Sequence, residues 1–347
     1  MRRLRILPPV LAALVLPGSA SAYPWPFKPF HKQHPIRGFF GDPRTVYRNA
    51  LVSDALAGPG FFSFHQGVDI AAPDGTPIYP VASGTARYLG AATLVIATGR
   101  DVRFQYFHVV PVVGEGEHVT ASRTVLGYVQ APYGHVHITE IDGIRVVNPL
   151  ARGHLTPYRD TTKPTIRAVT VEDRLGPVDG PLCGRVELDA DAFDTPPLAV
   201  PGAFNGLPVS PAFVAWSLTR PGHGVILRRT VADFRTALPR NSKFWTVYAK
   251  GTYENSPRFG GEQYRSLPGR YLFLLAGSLN TATLPNGDYV VTVRARDIRG
   301  NTAVARRRIS IRNERGAACS RSLRGPGRGV VPPPALPQQG AVTPTQR

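Results

Sequence analysis

Between Ile36 and about Leu150 the chain breaks into short apolar segments separated by glycine-containing turns: "PIYPVASGTARYLG", "TLVIAT", "VRFQYFHVV", "TVLGYV" and "HVHITEI". Segments of this length, with frequent turn signals, point to an all-β sandwich or barrel. Composition agrees. Glycine and proline occur 35 times each, and both interrupt helices while serving turns. With 347 residues and 42% hydrophobic side chains, the chain has material for two domains with real cores.

The polar, proline-containing "RDTTKPTI" is the natural joint between them. The expected organisation is a signal peptide over 1–22, a Pro- and aromatic-rich leader over 23–35, a first β domain over 36–158, a linker over 159–164, a second β domain over 165–313 and a disordered tail over 314–347. The clearest piece of the second domain is "LPNGDYVVTVRARDIRGNTAVARRRISIRN". Tyr289, Val291 and Val293 alternate with the residues between them, "DIRGN" makes a turn, and a second strand follows, so the pattern reads as a hairpin with one buried face. It resembles the closing strands of bacterial immunoglobulin-like domains, which implies a C-terminal β-sandwich. The region is longer than one such sandwich, and Ala232 to Tyr271 is read as an insertion.

The N-terminus reads as a secretory signal: Arg2, Arg3 and Arg5, an apolar run from Ile6 to Leu16, then Ala20-Ser21-Ala22. That run is too short to span a bilayer, and no later segment is apolar enough to do so. A secreted or wall-associated protein starting near Tyr23 is expected. The net charge of +18 comes without zinc-finger spacing or a nucleic-acid-binding motif. Nucleic acid is therefore not an expected partner, whereas anionic extracellular polymers are. Two cysteines, Cys183 and Cys319, are expected to pair in an oxidising compartment. Closing so long a loop contributes roughly 4–5 kcal/mol in the chain-entropy picture.

The chemistry lies in a few of the nine histidines. In "GHVHITEI", His135 and His137 are two apart on a strand, so both imidazoles point to one face. In "FHQGVDIAAPDGTPIYPVASGTA", His65 and Asp69 are four apart and share a face if that segment is extended, with Gly67 allowing a bend. Two imidazoles and a carboxylate suffice for a catalytic zinc with one open position. A closed structural site would more commonly use cysteines, and neither cysteine is near in sequence.

Four blocks together resemble the lysostaphin-like (LytM-type) zinc metallopeptidases that cut peptidoglycan cross-bridges. They are "GFFGDPRT", the H-x-G-x-D block just quoted, "FQYFHVVPV" and "YGHVHITEIDGIRVVNPL". The resemblance covers roughly Phe39 to Leu150. It implies one zinc ion bound by His65, Asp69 and His137. It also implies that His108 and His135 face the attacking water and the substrate carbonyl, either of them as the base. Arg44 would contact substrate or support its loop. The implied activity is that of an exported endopeptidase acting on peptidoglycan. The alternative is a non-catalytic wall-binding or hydrolase-activating module of the same fold. All five positions hold the expected residue types, which favours the enzyme.

Some residues depart from the pattern. A β-branched Val136 separates the two histidines, Thr139 follows them, and Phe107 sits beside His108. The stretch from Thr45 to Ser63 reads as irregular, rimming the groove. Glu140 reads as a surface glutamate or as a carboxylate orienting a ligand imidazole. His31, His34, His118, His154 and His223 read as bland loop or leader residues. The bond cleaved is open, as is whether the leader lies across the groove.

Overall fold

The computed structural model describes residues 22–47, 60–99, 101–259, 262–263 and 267–313. The expected signal peptide, apart from Ala22, and the expected tail lie outside the described residues, as does Cys319. Cys183 is disulfide-bonded. The regular structure of the described chain is nearly all β, as expected, with one four-residue α-helix at Phe244–Val247.

The N-terminal unit is built on an eight-stranded sheet. Its order runs Ile36–Gly38, Val68–Ala71, His135–Asp142, Val102–Phe107, Thr93–Ala97, Gly84–Gly90 and His118–Val119, with Arg145–Val147 also on the His135–Asp142 strand. A three-stranded sheet of Pro77–Ile78, Gly127–Val129 and Val109–Pro111 accompanies it. Period-two alternation assigns the faces of the central strands. Val68, Ile70, Val136 and Ile138 are buried in the apolar core. Asp69 and His137, on the other face, lie directly opposite each other in the antiparallel register.

Three expectations change here. The leader is part of this core: Tyr23, Trp25 and Phe27 are buried in it, and Trp25 Nε1 donates to the Pro157 carbonyl at 2.9 Å. Its aromatic side chains are core side chains, which the proline-rich context concealed. Glu140 is neither a surface residue nor a partner of the ligand histidines. It follows His137 by three, so it falls on the core face. There it is buried and accepts from Tyr23 Oη at 2.6 Å and His154 Nδ1 at 2.8 Å. His154 is accordingly a structural partner. Finally, Thr45–Tyr47 and Gly60–Ser63 are regular arms of an antiparallel hairpin, because alternate residues Thr45 and Tyr47 are fully buried. Residues 48–59 lie outside the described residues.

The C-terminal unit has two four-stranded sheets. One is ordered Gly176–Pro177, Thr165–Asp173, Arg185–Phe193 and Leu272–Asn280; the other is Gly224–Asp233, Phe213–Arg220, Gly287–Arg296 and Thr302–Ile311. Leu188 and Phe273 of the first and Trp216, Val291 and Val293 of the second share one core. The hairpin expected near the C-terminus is present in unbroken register from Gly287↔Ile311 to Arg296↔Thr302.

The two units are joined closely. Phe40 and Phe64, from the N-terminal unit, belong to the C-terminal core. Arg258–Phe259, within the expected insertion, pairs in parallel with Pro43–Tyr47. Gly41 has φ +93°, and a Cβ there would lie 2.3 Å from the Phe234 ring, so only glycine fits at this junction.

Candidate metal centre

Three donor atoms converge. His65 Nε2 lies 3.1 Å from Asp69 Oδ1 and 2.9 Å from His137 Nδ1, and His137 Nδ1 lies 2.9 Å from Asp69 Oδ1. Each is placed by a different local device. Asp69 and His137 face each other across paired strands. His65 sits before its strand, which begins at Val68. Its backbone N–H donates to the Asp42 carbonyl at 2.8 Å. Gly67 makes this approach feasible, though not by bending the chain. A Cβ there would lie 2.1 Å from the Ile138 carbonyl oxygen and 2.7 Å from His137 Nε2, so the residue must have no side chain.

The outward-facing ring nitrogens are also committed. His65 Nδ1 is 2.8 Å from the Phe39 carbonyl and donates to it. His137 Nε2 is 2.8 Å from Thr139 Oγ1. The first bond leaves His65 Nε2 as the lone-pair atom; His137 Nδ1 is one when its Nε2–H donates to the Thr139 hydroxyl, the tautomer a metal-ligating histidine needs. Donor atoms around a tetrahedral zinc sit about 3.4 Å apart, given bonds of about 2.0–2.1 Å. The observed separations are a few tenths of an ångström shorter, so two imidazoles and a carboxylate fit zinc with a small opening of the cluster.

Electrostatics favour a neutral His65 imidazole beside an ionised carboxylate. Burial, with Arg44 close by, pushes His65 down to about 3. Burial alone would raise Asp69, but His65, Arg44 and His135 outweigh it and hold the carboxyl well below its usual range. Both conditions are those a cation needs from its ligands.

His135 and His108 stand beside the cluster. His135 Nε2 is 3.6 Å from Asp69 Oδ1, and its Nδ1 is 2.8 Å from the Tyr133 carbonyl. Burial lowers its pKa to about 4. His108 adopts φ +63°, a conformation unusual for a residue with a Cβ. Its ring stacks on Tyr133 at 3.9 Å and lies 4.6 Å from the His135 ring; burial lowers its pKa too. Arg44 Nη2 donates to Asp69 Oδ2 at 2.6 Å, so Arg44 is engaged with the carboxylate itself.

All the residues singled out in the sequence thus come together, while His31, His118 and His223 are exposed elsewhere. Sequence reasoning missed two neighbours. Arg37 Nη1 donates to the Tyr133 carbonyl at 3.1 Å, and its Nη2 lies 3.5 Å from His135 Nε2. Tyr133 carries the His108 ring. The aromatic residue two before the H-x-H pair was the one available signal.

No family model matches the chain, and no curated protein does. Among solved structures, part of the chain is similar to zinc-peptidase and M23-type peptidase structures. Csd3 of Helicobacter pylori aligns at 20% identity over 41% of this chain and 37% of that one, with a TM-score of 0.28. A zinc-containing peptidase from Vibrio cholerae aligns at 22% identity over 37% and 39%, TM-score 0.28. The catalytic domain of the M23 protein EnpA from Enterococcus faecalis aligns at 21% identity over 39% of this chain and 99% of that domain, TM-score 0.25. The chain thus spans under two fifths of the length of the first two.

Proposed function

We propose that this chain is an exported zinc metalloendopeptidase that hydrolyses peptide bonds in bacterial peptidoglycan. The observation that carries the reading is the convergence of His65, Asp69 and His137, with two further neutral imidazoles beside them. A purely structural zinc needs no such extra pair. The substrate class is supported by the four-block resemblance between Phe39 and Leu150, and the net charge, +18 for the full chain with only Arg2, Arg3 and Arg5 of it in the expected signal peptide, suits retention on an anionic wall. Among the described residues no helix is long and apolar enough to cross a membrane.

His65, Asp69 and His137 would hold the metal. When bound, zinc polarises a carbonyl and lowers the pKa of water toward neutrality. The protein supplies the rest. His135 spends its Nδ1–H on the Tyr133 carbonyl, so the neutral ring presents an acceptor at Nε2 toward the cluster. That atom receives the proton of the attacking water and returns it to the leaving amine. His108 is set by stacking, and among the described residues no hydrogen bond fixes its ring nitrogens. It can therefore present an N–H to the developing oxyanion. Arg44 holds Asp69 in place rather than reaching for substrate.

His108→Gln and His135→Gln separate chemistry from metal binding. Each variant is expected to retain one zinc per chain while cleavage of wall peptides falls by at least about a hundredfold, the usual scale for a proton-transfer group. Near-wild-type cleavage by both variants would contradict the assigned roles.

A further inference from the structure

We propose that Glu254, carried by the C-terminal unit, is a positioning residue for the metal centre: it anchors Arg44 and offsets its charge, so that Asp69 keeps the orientation and net charge with which it binds zinc. The inference rests on the zinc reading above and gives the C-terminal unit a part in it.

The contacts form a continuous chain. Arg44 Nη2 donates to Asp69 Oδ2 at 2.6 Å. The other end of the guanidinium, Nη1, is 3.8 Å from Glu254 Oε2, an ion pair between side chains that are 30% and 19% exposed. Glu254 is clamped from both sides. Its Oε1 accepts from the Thr45 backbone N–H at 2.9 Å, and its own N–H donates to Thr45 Oγ1 at 3.0 Å. The parallel pairing of Arg258–Phe259 with Pro43–Tyr47 fixes the register of that clamp. On the far side the slot is closed: a Cβ on Gly38 would lie 2.6 Å from Asp69 Oδ2 and 2.9 Å from Arg44 Nη2.

Charge gives this geometry its consequence. Arg44 alone would cancel the charge of Asp69 and leave the cluster no net negative charge with which to attract a divalent cation. Glu254 returns one negative charge to the group. A group bonded directly to a metal ligand typically changes affinity by about 10- to 100-fold; Glu254, one contact further out, belongs at the low end of that range. With side chains only 30% and 19% exposed, the pair is screened by salt much less than an exposed one.

The test is zinc affinity of the full chain for wild type, Glu254→Gln and Glu254→Asp, at low and high ionic strength, beside melting of the metal-free proteins. Glutamine keeps an oxygen for the Thr45 N–H and removes only the charge. The expected result is about tenfold weaker zinc binding by Glu254→Gln, largely retained at high salt. Glu254→Asp should recover part of the loss, and metal-free melting should be unchanged. Equal affinity of Glu254→Gln and wild type, or a loss that tracks metal-free stability, would overturn the proposal. A wild-type chain that binds no zinc would remove the zinc reading, and this inference with it.

Discussion

Thr139 and Gly67 give the sharpest tests at the scale of single residues. Thr139 Oγ1, 2.8 Å from His137 Nε2, can accept its N–H and so leave Nδ1 free for a metal. Thr139→Val keeps the shape and removes that acceptor, so zinc affinity should fall about tenfold in a chelator-competition titration. An unchanged affinity would show that the tautomer is set otherwise. Gly67 leaves no room for a methyl group against the Ile138 carbonyl. Gly67→Ala should cost at least about 2 kcal/mol in urea unfolding of the metal-free protein, the usual scale of a forced backbone shift; a loss under 0.5 kcal/mol would contradict the crowding. The His65–Asp69–His137 cluster was legible from its residue types and from the H-x-H spacing, which a strand turns into a shared face; His65 lies before its strand, so type and spacing alone pointed to it. The reason for Gly67 was not legible, because its neighbour lies some seventy positions away and is known only from strand pairing. Arg37 escaped notice for the same reason: its partners, Tyr133 and His135, are about a hundred residues distant.

Among the elements, the Arg185–Phe193 strand carries a testable dependence on pH. Asp189 is buried, its Oδ1 has no hydrogen-bond partner, and burial, helped by Glu187 and Glu172, raises its pKa to about 8. A carboxyl raised in the folded state binds its proton more tightly there than when unfolded. Folding is therefore favoured below the unfolded value, near 4, and loses stability as pH climbs from there to about 8. Urea midpoints taken between pH 5 and 9 should decline, and Asp189→Asn should flatten the decline; parallel slopes for the two proteins would exclude Asp189 as its source. At this scale period-two patterning was the readable signal. It identified the C-terminal hairpin and the strand bearing His135 and His137. It also contained the correct face of Glu140, which a residue-type argument overrode. The leader was misread because prolines there accompany buried aromatic side chains.

For the whole molecule, the C-terminal unit is a structural condition of the His65–Asp69–His137 cluster. Phe40 and Phe64 sit in its core, and the Tyr248 hydroxyl donates to the Gly41 carbonyl at 2.8 Å. A chain ending at residue 158 would expose those two phenylalanines, each contributing about 1.5–3 kcal/mol when buried. It would also leave the Pro43–Tyr47 strand without its parallel neighbour. That truncated chain should show no cooperative melting and no zinc binding; stable, zinc-loaded protein would refute the dependence. Two β units were legible from composition and turns. Their mutual dependence was not, because the contacts between Thr45 and Glu254 span 209 residues and no local pattern records them.

The central claim is tested most directly by release of new amino termini from purified peptidoglycan. Wild type and His137→Ala should be run side by side, with chelated and zinc-restored samples of each. The account predicts release by wild type, its loss on chelation, its return with zinc, and none from His137→Ala under any condition. Release that survives chelation or the His137 substitution would contradict it, as would zinc-loaded wild type that releases nothing from several wall types.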